Sequence, residues 1–600
     1  MATERSVQEA VWQLELGRGK SVLRWVVVVL AAVGISLLYT ANQFRGLEKR
    51  EAMDQAQLAR HLARGDGFTT SILRPVALWH LKTYRSDHSP MFEKHPDTYN
   101  PPLYPLALSL VFRLMPESIF IGKPTEMLYP AERWAIVPFS QACLLLSLLL
   151  IYVWARQLFD QRVAVTAALL LLFSDTLWAY SVTGLHTSFL MLLFLGAMYC
   201  LFRADRRLNP PDSETPAPLD TTGMGLILAS AVLMGLCFLT RYSMLFLVAP
   251  MAIYAARMLR GRRSVMWALV YVAVVLAVIT PWLMRNFNVS HSLLGTAKYQ
   301  FFSTELFERT YDVNLQTSWT LSAVATRFLI DLRRAWIEDF RAIGTDILVF
   351  FFVVGVMYGF RHSDTSRLRV VLIGCLLAAM AGMGIVGLPY ELVGPEINGG
   401  KLLVLFLPIV AVFGCAFFYI LLDRVPFKMQ LTRGAAIGAF VLLNVAPMIF
   451  TILPPRRALL PYPPYCQPYM HLIARWYTPE DTGMSDMPWA VAWYMDRRAL
   501  WLPATPEEYY EIHDFVAPHN TQFAFFTPYM LNRKLQTELL HGEFQPWASV
   551  VRGQLPDKFP LRVATAIPPG ADQVLITDRA RWRDNIDTNS VEQAIKKASD

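Results

Sequence analysis

The chain has 600 residues, of which 54 % are hydrophobic, 13 % aromatic and only 17 % charged, against about 25 % charged in a typical soluble protein. Its 55 Lys+Arg and 47 Asp+Glu leave a net charge of +8. Long uncharged runs and sparse charge exclude a purely soluble enzyme, a disordered chain and a nucleic-acid binder working through charge density. A membrane-spanning helix needs about 20 mostly apolar residues. In chain order the candidates are Trp25–Phe44, Trp134–Ala155, Val163–Ser174, Thr187–Phe202, Thr221–Leu239, Tyr242–Ala256, Ser264–Leu283, Ile347–Phe360, Val370–Leu388, Leu402–Leu422 and Gly434–Leu453. The shortest of them are expected to extend into flanking polar residues. The first is too long for a signal peptide, and no small-residue cleavage site follows it.

With the N-terminus in the cytoplasm, alternation assigns Arg156–Arg162, Arg203–Asp220, Arg257–Arg263, Arg361–Arg369 and Asp423–Arg433 to the inner side. Together with residues 1–24 these segments hold 19 Lys+Arg and 10 Asp+Glu, so they carry the whole basic excess. That is the positive-inside pattern. The +8 is therefore an orientation signal and not the mark of an anionic partner. The expected place is the inner (plasma) membrane, with the bilayer as partner and the large loops outside.

Those loops are residues 45–133 and 285–346, within a membrane domain over 1–453. A Pro/Tyr-rich linker follows over 454–480, its densest part running from Pro454 to Tyr465. Residues 481–600 read as a small α/β domain, with strands over Gln522–Thr527 and Gln573–Thr577 and a helix over Thr505–Phe515. Five of six cysteines lie inside apolar runs, Cys466 stands apart, and no disulfide framework is expected.

A pure transporter would concentrate polar groups near the bilayer midplane. Here they gather at the outer span ends instead: Asp54, Asn100, Asp175, His186, Arg241, Arg285 and Lys401. A site at the lipid–water boundary fits a substrate with an apolar tail and a charged head. After the first span, residues 53–64 are amphipathic and end at Gly65-Asp66-Gly67. Asp54, Gln57 and His61 share one face of such a helix. Asp-x-x-Gln also resembles a capping box, so capping and catalysis both remain open for Asp54, and His61 reads as a surface histidine. Asn100-Pro101-Pro102-Leu103-Tyr104 is a rigid entry into an apolar segment. Arg241-Tyr242 sits in a tight outer turn that favours an anion. Arg285 closes Pro281-Trp282-Leu283-Met284, as an interfacial anchor or a ligand. Asp175 is either a site acid or a helix cap. His80, Asp87, His88, Glu93, His95 and Asp97 fit no metal-ligand spacing and read as a solvated loop.

Taken in order, Met53-Asp54, Gly65-Asp66-Gly67-Phe68, Asn100-Pro101-Pro102-Leu103-Tyr104, Tyr180–Leu185, Leu239-Thr240-Arg241-Tyr242 and Pro281–Asn286 resemble the polytopic glycosyltransferases with the GT-C fold. More narrowly they resemble the PMT-like group of protein O-mannosyltransferases and lipid A aminoarabinose transferases. The resemblance spans about residues 20–420. It implies an α-helical polytopic GT-C-like membrane protein of about 11 transmembrane helices, with amphipathic helices in the first outer loop and the small outer domain. It also implies sugar transfer from a polyprenyl-phosphate donor to an acceptor hydroxyl at the outer face, with inversion. The acceptor class (glycolipid, polysaccharide or protein) stays open.

Asp54 maps to the presumed base. Gln57, Asn100, Tyr104, Asp175, His186, Arg241, Tyr242, Arg285 and Lys401 are the candidate substrate contacts, with Arg241, Arg285 and Lys401 facing the leaving phosphate. This chain departs from relatives at Gln55, Gln57 and Asn100, which stand where relatives carry charged residues, so Arg60, Arg64 or Arg74 are drawn into phosphate binding. Related oligosaccharyltransferases hold a divalent ion on Asp-x-Asp; the first loop has no such motif, and no cofactor is expected. The segment Ser485–Arg497 looks like a subgroup signature without assigned chemistry. Competing readings are a flippase of lipid-linked saccharides and a non-catalytic scaffold whose tail binds glycan.

Overall fold

A computed structural model describes residues 18–85, 91–210, 220–259, 262–301, 308–311, 321–340, 343–359, 363–386, 397, 400–426, 430–453, 465–516, 521–531, 544–555, 559–567 and 572–584. Most of the Pro/Tyr-rich linker, residues 454–464, lies outside them, as do Asp87 and His88. All eleven expected segments fall on apolar helices. Eight are long enough to cross a bilayer singly: Trp25–Gln43, Glu132–Leu158, Thr187–Leu208, Thr221–Thr240, Arg263–Ser290, Asp364–Val386, Leu402–Arg424 and Gln430–Ile452. A ninth crossing is a pair, Gln161–Leu172 and Asp175–Val182, bent by 49°. Tyr242–Arg257 and Asp346–Met357 are shorter apolar helices. At 1.5 Å per residue, neither spans the roughly 30 Å hydrocarbon core alone. Among the described residues, eight or nine of the roughly eleven expected spans are thus long enough to cross as single or bent helices.

Residue type decides the starts of these helices. Asp160, Asp220 and Thr345 each accept a hydrogen bond from a backbone N–H of the first turn, at Val163, Gly223 and Leu348. Burial then ranks the spans. Leu402–Arg424 is 89 % buried and stands at the centre, whereas Trp25–Gln43 is 11 % buried and presents its leucines and valines outward. At the end of the bundle carrying the short basic loops, buried Asp205 takes Arg367 Nε on both oxygens, at 2.9 and 3.1 Å, and the Tyr254 hydroxyl at 3.2 Å.

The tail forms a six-stranded sheet, but not from the tail alone. Its strands are β1 Ile72–Leu73, β2 Thr482–Ser485, β3 Arg498–Trp501, β4 Thr521–Phe526, β5 Val563–Ile567 and β6 Gln573–Thr577, in the order β1-β3-β2-β4-β6-β5. The first four are parallel, while β6 and β5 join antiparallel. The edge strand β1 comes from the first large loop, with Ile72 opposite Ala499 and Leu73 opposite Leu500. A helix over Pro506–Val516 follows β3, and another over Gln467–Ala474 is buried against the first loop at Gly46 and Gly122 and against Tyr494 of the tail. One hydrophobic core runs from the spans through the first loop into the tail.

Candidate active site

The helix Arg50–Arg64 positions the centre of the site. It begins after Lys49, which makes no side-chain cap, so Asp54 lies in the second turn and does not cap it. Gly65, at φ 90°, ends the helix in the left-handed conformation. Three faces of the helix then meet three different surroundings.

The first face carries Asp54, Gln57 and His61 toward residues 69–74 and 97–100. Asp54 Oδ2 accepts from Arg74 Nη2 at 2.5 Å and from Asn100 Nδ2 at 2.9 Å. Gln57 Nε2 lies 3.3 Å from Asp54 Oδ1 and donates to Thr70 Oγ1 at 2.8 Å, while Gln57 Oε1 accepts from Ser71 N. Asp54 is 5 % exposed, Asn100 4 % and Gln57 fully buried. His61 reaches Thr69 and Ser71 through its two ring nitrogens, so it is a satisfied part of the fold. Burial first, then the Arg60 charge, pushes its imidazole down to about 4.

Asp97 completes this group. Its carboxylate accepts from the backbone N–H of Tyr99 and Asn100, closing the turn that Pro101 and Pro102 continue. It also takes Asn100 Nδ2 at 3.2 Å and Arg74 Nη1 at 3.5 Å. Burial, and then the neighbouring Asp54 charge, push the Asp97 carboxyl above the usual range against the pull of Arg74. Arg285 donates to the carbonyl of Asp97 and, at 3.3 Å, to that of Phe68, with its guanidinium 4.8 Å from the Trp282 ring centre. The Tyr242 hydroxyl accepts from Trp282 Nε1 at 2.8 Å and lies 3.5 Å from the Asn100 carbonyl.

On the second face Gln55 Oε1 meets His186 Nδ1 at 3.3 Å, and Glu51 lies 3.8 Å from Arg241. Arg241 Nη1 closes on His186 Nε2 at 3.2 Å, and burial first, then Arg241, hold that imidazole well below 6.5. The Tyr104 ring packs 6.1 Å from His186 and donates its hydroxyl to Gly184 O. The neutral His186 adds no charge beside Arg241, whose carboxylate neighbour Glu51 stands at 3.8 Å.

Of the expected contacts, the fold thus gathers Gln57, Asn100, Tyr104, His186, Arg241, Tyr242 and Arg285 around Asp54. Asp175 and Lys401 have other partners: the Tyr39 hydroxyl donates to Asp175 at 3.1 Å, and Lys401 pairs with Asp339 of the second loop at 2.9 Å. Asp175 also starts its helix without capping it, since Ser174 holds the cap position. The third face commits Arg60 and Arg64 to the tail, and Arg74 is engaged by two carboxylates, so none of these three stands open for phosphate. Of the stretch expected to be a solvated loop, His80, His95 and Asp97 are each at most 2 % exposed, whereas Glu93 is exposed as expected. Asp97 joins the candidate site without having been expected there, although its Asp-x-x-Asn-Pro-Pro turn signal stands in the sequence.

Asp54 and Asp97 both pair with the Arg74 guanidinium, and among the described residues no three His, Cys, Asp or Glu side chains converge.

A family model described as dolichyl-phosphate-mannose-protein mannosyltransferase matches residues 100–284, which include Asn100, Tyr104, His186 and Arg241. Solved structures share the fold over most of the chain. ArnT from Cupriavidus metallidurans, bound to undecaprenyl phosphate, is 14 % identical over 93 % of this chain and 98 % of that one, with TM-score 0.53. Over residues 100–284 the chain is similar to the mannosyltransferase family, and over most of its length it has the GT-C fold.

The Archaeoglobus fulgidus oligosaccharyltransferase, in its complex with Zn and sulfate, aligns with this chain at 13 % identity, covering 85 % and 69 % of the two chains, with TM-score 0.52. The same archaeal enzyme, AglB, in complex with an inhibitory peptide and a dolichol-phosphate, aligns equally well at TM-score 0.52. A search of curated proteins finds no match. Its long apolar helices and its fold are those of a multi-pass membrane protein.

Proposed function

We propose that this PMT-like chain is an inverting glycosyltransferase that moves a sugar from a polyprenyl-phosphate donor to an acceptor hydroxyl at the periplasmic face. The observation that carries the reading is Asp54: a buried carboxylate with a guanidinium and two amides around it, at the end of the bundle opposite the basic loops. The acceptor O–H gives its proton to Asp54 as its oxygen bonds to the anomeric carbon. The bond from that carbon to the phosphate oxygen breaks, and the electron pair leaves with polyprenyl phosphate on the opposite side. Attack from behind the leaving group inverts the anomeric centre.

Arg241 and Arg285 stabilise the departing phosphate, while Asn100 and Gln57 orient Asp54. The reaction as proposed needs no bound metal. The undecaprenyl phosphate of one neighbour and the dolichol-phosphate of another support the donor class.

Asp54→Asn in lipid-reconstituted protein is expected to lower transfer by about 10²–10⁴-fold, the usual contribution of a general base. Mass spectrometry of cell-envelope glycans with and without the protein identifies the product. Full transfer by Asp54→Asn overturns the reading. Arg285→Ala is expected to weaken undecaprenyl phosphate binding about tenfold in a titration.

A further inference from the structure

The segment Ser485–Arg497 stood out in the sequence without a chemical role. In the fold it grips the helix that carries Asp54. Arg60, fully buried and about 9 Å along the helix from Asp54, donates from Nη1 to the Trp493 carbonyl at 2.9 Å and from Nη2 to the Ala492 carbonyl at 2.6 Å. Its Nη2 also pairs with Asp496 Oδ1 at 2.7 Å, and its guanidinium stacks 5.0 Å from the Trp493 ring centre.

Asp496 sits at φ 53°, a left-handed position that turns its carboxylate back onto Arg60 and Arg64. Trp493 Nε1 donates to Glu132, which also accepts from Leu47 N, so the same tail segment is tied to the start of the second long span. A surface ion pair contributes little; a buried arginine sharing two carbonyls and a carboxylate admits few other arrangements.

A second tie acts on the partner of Asp54. Strand β1 ends at Leu73, immediately before Arg74, and is held by the tail: Ala499 N donates to Ser71 O at 2.9 Å. Gln57 then bridges the two ties, accepting from Ser71 N at 3.1 Å while lying beside Asp54. Asp54 and Arg74 are therefore both registered against residues 492–501, one through the helix and one through the strand.

We propose that the C-terminal domain is a working part of the catalytic centre, with residues 492–501 setting the Asp54–Arg74 distance and Arg60 as the positioning residue. The proposal rests on Asp54 as the base. Displacing reacting groups by about 1 Å costs roughly 10²-fold in rate, so loosening either tie lowers transfer without touching donor contacts.

The test uses the full chain in lipid nanodiscs. Transfer is measured with lipid-linked saccharides extracted from the source cells, affinity with undecaprenyl phosphate alone, and local order by amide hydrogen exchange. Arg60→Met is expected to lower transfer 10–100-fold and to speed exchange over residues 50–64 and 69–74, with undecaprenyl phosphate affinity within threefold of the parent. Asp496→Ala follows in the same direction with a smaller loss, and Asp496→Glu restores most of the rate. Should Arg60→Met fail to fold, Asp496→Ala, whose side chain is part-exposed, decides by the same readouts.

Parent-like transfer in the folded variant overturns the proposal, as does loss of undecaprenyl phosphate binding in step with transfer, which marks general collapse. Asp54→Asn run in parallel separates the two readings. If it keeps full transfer, the base assignment fails, while exchange over 69–74 still reports whether the tail holds the strand.

Discussion

Arg74 is the side chain on which most of the site's electrostatics turn. It lies 2.5 Å from Asp54 and 3.5 Å from Asp97, and all three are nearly excluded from water. A buried carboxylate is costly without a partner, and removing one member of a buried pair costs on the order of 3–5 kcal/mol. Arg74→Gln is therefore expected to lower the apparent melting temperature in detergent. Adding Asp54→Asn to Arg74→Gln should recover part of that loss, because one stranded charge disappears. A melting temperature unchanged in Arg74→Gln would show that the pair carries no stability. From the sequence, Arg74 reads as one of three spare cations for phosphate; its commitment to the base depends on a turn 23 residues downstream at Asp97. No local pattern announces such a partner.

Among the elements, the turn 97–100 shows how a small backbone feature governs side-chain chemistry. Its Thr98 carbonyl accepts from Thr296 N at 3.1 Å, and Gly295 lies against it at φ 59°. A Cβ at Gly295 would stand 2.0 Å from the Thr98 oxygen, a backbone atom that cannot rotate away. Gly295→Ala is expected to displace the turn, and with it Asn100 and Asp97, cutting transfer at least tenfold. A variant with parent-like rate and melting temperature would show that the turn tolerates the shift. The amphipathic helix, read over residues 53–64 and found over Arg50–Arg64, and the entry at Asn100-Pro101-Pro102 were legible in the sequence, since amphipathicity, Gly65 and the paired prolines act locally. The contact between second-loop Gly295 and first-loop Thr98 was not, because residues so far apart meet only through packing.

For the molecule as a whole, the tail and the bundle form a continuous core, and His471 reports on their junction. Its Nδ1 donates to the Tyr494 carbonyl at 3.0 Å, its ring packs 5.1 Å from Tyr129, and Gly122 leaves it room where a Cβ would collide. Burial first, then the Arg475 and Arg60 charges, push this imidazole down to about 4 from 6.5. With a folded value below the unfolded one, the unfolded chain binds the proton first. The stability this histidine supplies is therefore complete above pH 6.5 and is lost as pH falls toward 4. Between pH 7 and 5 the loss is about 2 kcal/mol. Thermal melts at the two pH values should differ less in His471→Gln than in the parent; equal slopes would remove His471 from the junction's pH response.

Much of this architecture follows from the sequence alone. Apolar runs bounded by charges demand lipid, basic residues crowd the loops at one end, and Asp54 and Asn100 lie in the first outer loop while Arg241 and Arg285 close apolar runs. These are properties of neighbours along the chain, and hydrophobicity acts on them directly. Tertiary structure alone decided that Arg74 and Asp97 close on Asp54 and that a first-loop strand belongs to the tail's sheet. Each depends on which distant groups must be paired once water is excluded. That exclusion is complete only when the spans, the loop and the tail have packed together.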